Sequence, residues 1–254
     1  MTTWEAAQLG VIQGITEFLP ISSSGHLVVA QHFMNISRSG ILFEVVVHLG
    51  TLFSILVIFY KDIKEIVFSL FYPASKSLIK NVVIGTVPII ILGLLLKPYI
   101  ESLFHNTIVV GIGFLFTGII LISTQIFKPV KQHLDGKKSL LIGLYQCIAL
   151  LPGVSRSGIT IGSGMMLGIL PFEAARFSFF LAIPALIGSG LVTFGDYISS
   201  GASTESISVI VAGFFTSFVV GVVALKALLT VLSKGKFHWF GMYCVVMGII
   251  TLGL

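Results

Sequence analysis

Six stretches of this chain are apolar for long enough to cross a lipid bilayer as helices, which takes about 17–25 residues each. The second of them is short and ends at Lys97-Pro98. Of the 254 residues, 56% are hydrophobic and 10% are charged, whereas soluble domains carry about 25% charged residues. We therefore predict an all-α integral membrane protein that forms a single membrane domain. The six predicted spans are 41–60, 82–97, 107–127, 174–194, 207–232 and 237–254.

Two further regions, 4–34 and 139–170, are apolar but interrupted. Each consists of a short apolar run, a polar break and a second short apolar run. Neither half is long enough to span a bilayer alone, and irregular backbone at membrane depth is tolerated only where protein or a wet cavity surrounds it. The sequence therefore predicts two re-entrant helical hairpins.

The two interrupted regions also resemble each other at a constant offset of 133 positions. Each is followed by Phe-Glu at the start of a long span, at Phe43-Glu44 and Phe172-Glu173. A unit of one hairpin plus three spans crosses the membrane an odd number of times, so a second copy enters from the opposite face. We predict inverted repeats at about 1–133 and 134–254. The matching positions are Gly10, Gln13, Ile15, Ser22, Ser24 and Gly25 with Gly143, Gln146, Ile148, Ser155, Ser157 and Gly158.

The formal net charge of +5 comes from lysines in short loops between apolar runs, which favours a role in membrane topology and argues against nucleic-acid binding. Ten lysines fall on one side of the six-span arrangement, and the other side has only Arg38 and Lys97. Because basic loops face the cytoplasm, both termini are predicted to face away from it. The ten are Lys61, Lys64, Lys76, Lys80, Lys128, Lys131, Lys137, Lys138, Lys234 and Lys236.

The first break contains the residue types of a reaction site. Gln13 and Glu17 are four residues apart and so share a helix face, and Pro20 is expected to end that helix. The run from Ser22 to Gly25 then precedes a second helix start, where free backbone N–H groups and hydroxyls favour an anion. His26 adds an imidazole. Glu17 could instead be an interfacial or capping acid, and His26 could satisfy a backbone carbonyl, but ionisable groups at membrane depth are usually functional.

The second break places Arg156 in apolar sequence, between Ser155 and Ser157. The planar guanidinium fork suits phosphate oxygens, although a structural ion pair with Glu17 or another acid is the alternative. Four ionisable residues near span ends or within spans, Glu44, His48, Glu173 and Arg176, are candidates for a supporting role, and Glu173 with Arg176 could simply pair with each other.

At these motifs the chain resembles a known family. The segments Glu17-Phe-Leu-Pro-Ile-Ser-Ser-Ser-Gly-His26 and Pro152-Gly-Val-Ser-Arg-Ser-Gly-Ile-Thr160 are similar to the two signature motifs of the undecaprenyl-diphosphate phosphatases, also called bacitracin-resistance proteins. The similarity extends to Phe43–Gly50 and Ala175–Pro184.

The resemblance implies removal of the terminal phosphate from undecaprenyl diphosphate at the extracytoplasmic face of the bacterial cell membrane. The product is the lipid carrier of cell-wall synthesis, and a homodimer is implied as well. In the family the first motif is usually written with Glu or Gln at its first position, which lies four residues before Glu17 and corresponds to Gln13. Because Gln13 stands there, a paired-carboxylate metal site is incomplete, and a divalent cation, Mg²⁺ or Ca²⁺, would rest on Glu17 and substrate oxygens.

The resulting hypothesis leaves the nucleophile open between Ser23, His26 and a water activated by His26. Glu17 would hold the cation or orient the base, and Arg156 would offset charge on the transferred phosphoryl group. A lipid transporter or flippase is the rival class, because inverted repeats with re-entrant hairpins are typical of transporters. A structural scaffold would leave the intramembrane charges unexplained. The predicted substrate-binding residues are Gln13, Ser22, Ser24, Gly25, Ser155, Ser157, Gly158 and Thr160.

Overall fold

The computed structural model describes residues 1–36, 40–69, 76–104, 106–127, 131–200 and 205–254, and within these ranges the regular structure is entirely helical. The predicted all-α class is therefore confirmed. Arg38 and Lys128, which contributed to the charge pattern, lie outside the described residues. The helices are α1 (Thr3–Phe18), α2 (Ser23–Phe33), α3 (Ile41–Ile58), α4 (Tyr60–Ser69), α5 (Lys76–Leu103), α6 (Thr107–Ser123), α7 (Gly136–Gln146), α8 (Arg156–Met166), α9 (Pro171–Ser200), α10 (Ile207–Ser233) and α11 (Trp239–Leu252).

Among the described residues, four helical stretches are long and apolar enough to cross a bilayer: Ser77–Leu103, Thr107–Ile126, Pro171–Ser200 and Ile207–Ser233. Two shorter apolar helices, Leu42–Ile58 and Trp239–Leu252, correspond to the first and last predicted spans. The chain is therefore a multi-pass membrane protein.

The second predicted span was wrong in its length. Helix α5 continues past Lys97-Pro98 to Leu103 and contains both Pro88 and Pro98. A proline removes one backbone hydrogen bond and kinks a helix. In an apolar environment, however, the helix remains the conformation that satisfies most of the other backbone groups.

Both interrupted regions fold as helix, break and helix, as predicted. Helix α1 ends at Phe18, and Leu19 turns extended ahead of Pro20, the conformation favoured before proline. Helix α2 begins at Ser23, with the Ser22 side chain accepting a hydrogen bond from the Gly25 backbone N–H. In the second region α7 passes through a short 3₁₀ turn, and α8 begins at Arg156 behind the Ser155 cap.

Glycines allow the hairpins to approach their neighbours closely. A Cβ on Gly25 would lie 3.1 Å from Gly153 Cα, so the tips of the two hairpins are in contact. Helix α1 packs on α10 and helix α7 on α5. A Cβ on Gly143 would lie 2.3 Å from the Gly85 carbonyl oxygen, so α7 and α5 meet backbone to backbone.

We expect Gly143→Ala to destabilise the protein, because its methyl group meets backbone that has no room to move. Overpacking of this kind costs about 1–3 kcal/mol and lowers the thermal unfolding midpoint in detergent. Gly188→Ala is the matched control, since nothing lies within 4 Å of its Cβ. Equal midpoints for the two variants would contradict this account of the α5–α7 contact.

Candidate active site

Glu17 is the centre of a buried polar cluster where the two hairpins meet. It lies in the last turn of α1, and 7% of its surface is exposed. Ser23 Oγ, at the start of α2, donates a hydrogen bond to Glu17 Oε2 at 2.5 Å. Arg156 Nη2, at the start of α8, donates to Glu17 Oε1 at 2.5 Å. Three of the four predicted catalytic residues are thus brought together from both hairpins.

Gln13 completes the support of the carboxylate. It lies one turn before Glu17 on α1, and its Nε2 donates to Glu17 Oε2 at 3.1 Å. The predicted shared helix face is therefore confirmed. An isolated carboxylate in an apolar interior is costly, and a guanidinium partner with hydrogen bonds offsets that cost. The alternative of a structural Arg156–Glu17 ion pair also describes this contact, but it does not account for the Ser23 hydroxyl that donates to the other carboxylate oxygen.

His26, the fourth predicted catalytic residue, is held by other partners. Its Nδ1 lies 2.7 Å from the Ser22 carbonyl oxygen, and its Nε2 lies 2.7 Å from the hydroxyl of Tyr243 on α11. A carbonyl only accepts, so Nδ1 carries a proton, and in the neutral ring Nε2 accepts from Tyr243. Both ring nitrogens are therefore engaged within the protein. Sequence reasoning did not find Tyr243, because a tyrosine in an apolar helix gives no distinguishing signal.

His48 stands nearer to the carboxylate. Its Nε2 lies 4.0 Å from Glu17 Oε2, and its Nδ1 lies 2.7 Å from the Glu44 carbonyl oxygen one turn earlier on α3. The sequence suggested His48 only as a supporting residue. Its approach to Glu17 depends on how α3 packs, which the motif spacing does not encode.

A cavity of about 1000 Å³ opens beside this cluster. Its lining includes Ser24, the chain neighbour of Ser23, and His48, which lies 4.0 Å from Glu17, but none of Glu17, Ser23 and Arg156 themselves. Lys97 and Asp196 also line it. Lys97 Nζ donates to both Asp196 carboxylate oxygens at 2.6 Å, joining the ends of α5 and α9. The cavity is large enough for a diphosphate group.

The predicted binding serines divide into two matching pairs at the helix starts. Ser22 Oγ lies 3.3 Å from Ser24 Oγ, and Ser155 Oγ lies 3.2 Å from Ser157 Oγ. Of these four side chains only Ser24 lines the cavity. Ser22, Ser155 and Ser157 are at most 3% exposed, and two of them cap their helices. Their role in substrate binding stays a prediction.

The other predicted binding residues occupy packed positions. Thr160 Oγ1 lies 2.6 Å from Ser178 Oγ on α9 and also donates to the Arg156 carbonyl, which makes it a support of the α8 start. A Cβ on Gly25 would contact Phe114, and one on Gly158 would contact Ser155. The lining of the large cavity does not include Thr160, Gly25 or Gly158.

The donor set at Glu17 does not fit a metal site formed by the protein alone. Within the described ranges no three His, Cys, Asp or Glu side chains are grouped as metal ligands. One carboxylate oxygen faces the Arg156 guanidinium, and the other accepts from Ser23 and Gln13. Hard divalent cations require several oxygen ligands. The predicted divalent cation stays a prediction.

Arg176 and Glu173 lie away from this cluster. Arg176 pairs closely with Asp62 and also approaches Glu173 at 3.8 Å. Both residues line a separate cavity of about 300 Å³ together with Lys131. The suggested pairing of Arg176 with Glu173 is therefore present, with Asp62 as an additional partner.

The helices and the buried cluster define a multi-pass membrane protein with a polar site between two hairpins. A family model for the bacitracin resistance protein BacA matches residues 6–250, and the chain belongs to this family. The resemblance drawn from the two motifs is therefore confirmed.

Several relatives resemble the chain over nearly its whole length. An undecaprenyl-diphosphatase of Protochlamydia amoebophila is 40% identical, with 99% of this chain and 98% of the relative covered. One of Korarchaeum cryptofilum is 38% identical, with 98% of each chain covered. One of Desulforapulum autotrophicum is 37% identical, with 99% of this chain and 98% of the relative covered.

Proposed function

We propose that this chain is an undecaprenyl-diphosphate phosphatase. It hydrolyses undecaprenyl diphosphate to undecaprenyl phosphate and inorganic phosphate, which returns the lipid carrier to peptidoglycan synthesis and accounts for bacitracin resistance. The observation that carries the proposal is the meeting of Glu17, Ser23 and Arg156 beside a large cavity. The family membership and the names of its relatives agree with it.

The geometry favours Ser23 as the nucleophile. Its hydroxyl already donates to Glu17 Oε2 at 2.5 Å, the arrangement in which a base activates a weak nucleophile. Ser23 Oγ attacks the terminal phosphorus, its proton passes to Glu17, and the bridging P–O bond breaks to release undecaprenyl phosphate. Water then hydrolyses the phosphoserine. In this scheme His26 fixes the Ser22 carbonyl and so positions the start of α2.

Arg156 and the helix starts supply the positive field. The guanidinium has five N–H donors, and its contact with Glu17 uses one of them. The remaining fork suits two oxygens of the transferred phosphoryl group. The starts of α2 and α8 add backbone N–H groups at the same place, and fixed donors of this kind stabilise developing negative charge.

The proposal includes an architecture of six spans and two re-entrant hairpins in an inverted repeat. The first helix of each hairpin packs on a long helix of the other half, α1 on α10 and α7 on α5. Gly10 and Gly143, related by the offset of 133, both sit at these contacts. The matching serine caps of α2 and α8 support the same relation.

The proposed location is the bacterial inner membrane, with the cavity on the extracytoplasmic side. Helix α5 begins with Lys76 and Lys80, and Glu101 near its other end lines the cavity. Lys131 lies beside the start of α9, whereas Asp196 near its other end lines the cavity. By the positive-inside rule the cavity therefore faces away from the cytoplasm. The homodimer implied by the family resemblance remains part of the proposal.

Phosphate release by purified protein in detergent tests the function. Wild-type protein should release one phosphate per undecaprenyl diphosphate, and Ser23→Ala should lower the rate by at least about 10³-fold, since the nucleophile and its proton transfer are both lost. Ser24→Ala should have a smaller effect, because Ser24 lines the cavity without contacting Glu17. Binding of the lipid without phosphate release by the wild type would contradict the proposal and favour a transporter.

A further inference from the structure

We infer that His48 is a second catalytic base, which activates the water that hydrolyses the Ser23 phosphoenzyme. The inference rests on the proposed function and assigns a residue to its second step. That step needs a group that takes a proton from water after Glu17 has already taken one from Ser23. Glu17 still holds the Ser23 proton during this step and so cannot accept a second one from water.

The tautomer of His48 leaves the required nitrogen as a base. Its Nδ1 lies 2.7 Å from the Glu44 carbonyl oxygen, which only accepts, so Nδ1 carries the proton of the neutral ring. Nε2 then presents a lone pair. It faces Glu17 Oε2 at 4.0 Å, and the His48 side chain is 34% exposed where it lines the large cavity. Water thus reaches Nε2 from the cavity.

His48 and Ser23 both lie next to the same carboxylate oxygen of Glu17. Ser23 Oγ and His48 Nε2 both neighbour Glu17 Oε2, at 2.5 Å and 4.0 Å. A phosphoryl group on Ser23 and a water at His48 are therefore close to each other. His26 is less suited to this task, since its Nε2 is occupied by the Tyr243 hydroxyl.

The step balances within the cluster. The water oxygen bonds to the phosphorus of phosphoserine while one water proton passes to His48 Nε2. The bond between phosphorus and Ser23 Oγ breaks, and Ser23 Oγ takes back the proton held by Glu17. Inorganic phosphate leaves through the cavity, and His48 returns its proton to solvent there. Glu17, Ser23 and His48 end in their starting states.

Trapping the phosphoenzyme tests this role. Undecaprenyl diphosphate labelled in its terminal phosphate is mixed with His48→Gln, quenched in acid, and counted for label on protein. Steady-state phosphate release should fall by about 10²–10³-fold, the usual contribution of a general base. Label should accumulate to a substantial fraction of the chains and should be absent from the Ser23→Ala/His48→Gln double variant. His133→Gln, an exposed histidine on the lysine-rich side, should behave as wild type.

A second variant gives an independent reading. In His48→Ala, imidazole added to the buffer can enter the cavity. It should restore turnover and allow the labelled phosphoserine to be hydrolysed. Release by His48→Gln at the wild-type rate would overturn the inference, and so would slow release with no more label than the wild type. In either case a wild type that still releases phosphate leaves the proposed function intact, whereas a wild type without release refutes that function itself.

Discussion

Replacing Glu17 with glutamine is expected to lower kcat for phosphate release by about 10³-fold, within the range measured for catalytic bases. The amide has the same shape, yet it cannot receive the proton that the Ser23 hydroxyl now directs at Oε2. KM should stay similar or fall, because Arg156 loses a carboxylate that competes with the substrate for its donors. The measurement is a steady-state assay with undecaprenyl diphosphate that separates kcat from KM.

The matched control for Glu17→Gln is Glu173→Gln. Glu173 is also an acid near an arginine, but it pairs with Arg176 beside the smaller cavity. It should keep wild-type kcat. A loss of less than about 10-fold in kcat is smaller than the contribution of a general base. If Glu17→Gln kept its unfolding midpoint and showed so small a loss, Glu17 would not be the base.

Arg156→Lys should lower kcat/KM by about 10²–10³-fold, the loss typical of removing a fixed donor from a developing oxyanion. Lysine keeps the positive charge and can still pair with Glu17, but it has no planar fork for two phosphoryl oxygens. The effect therefore isolates geometry from charge. Steady-state assays at several substrate concentrations would measure it.

Arg176→Lys is the corresponding control, because Arg176 is bound by Asp62 and Glu173 outside the cluster. Its kcat/KM should stay within a small factor of the wild type once unfolding midpoints are matched. Equal losses in the two variants would mean that arginine at either place acts through stability, and the role assigned to Arg156 would be wrong.

Much of the fold followed from hydrophobic length and from the two breaks. Pro20 was expected to end α1, which ends two residues earlier at Phe18. The second helix was expected after the run from Ser22 to Gly25, but α2 begins within that run, at Ser23. The sequence misjudged α5, which continues through Pro98 because a kinked helix still satisfies most backbone groups. Glu101 and Ser102 in its extra turns line part of the large cavity, so the size of that cavity was not predictable.

The site was predictable as a set of residue types and only partly as a set of contacts. Gln13 and Glu17 share a helix face by local spacing, which the sequence determines. The contact of Arg156 with Glu17 was one of the alternatives that the sequence left open, and it required the tips of both hairpins to meet. The contacts of His26 with Tyr243 and of His48 with Glu17 depend on the packing of α11 and α3, and no local pattern encodes it.

The central claim is that Glu17 from one hairpin, as the base for Ser23, and Arg156 from the other, as the donor to the phosphoryl oxygens, act in the same phosphoryl transfer. A double-mutant cycle on kcat/KM tests it directly, with Glu17→Gln, Arg156→Lys and the double variant. Because residues that act as a unit are strongly non-additive, we expect the double variant to be about as impaired as the worse single variant. Losses that simply multiply would mean that the two residues act independently, and would contradict the shared site.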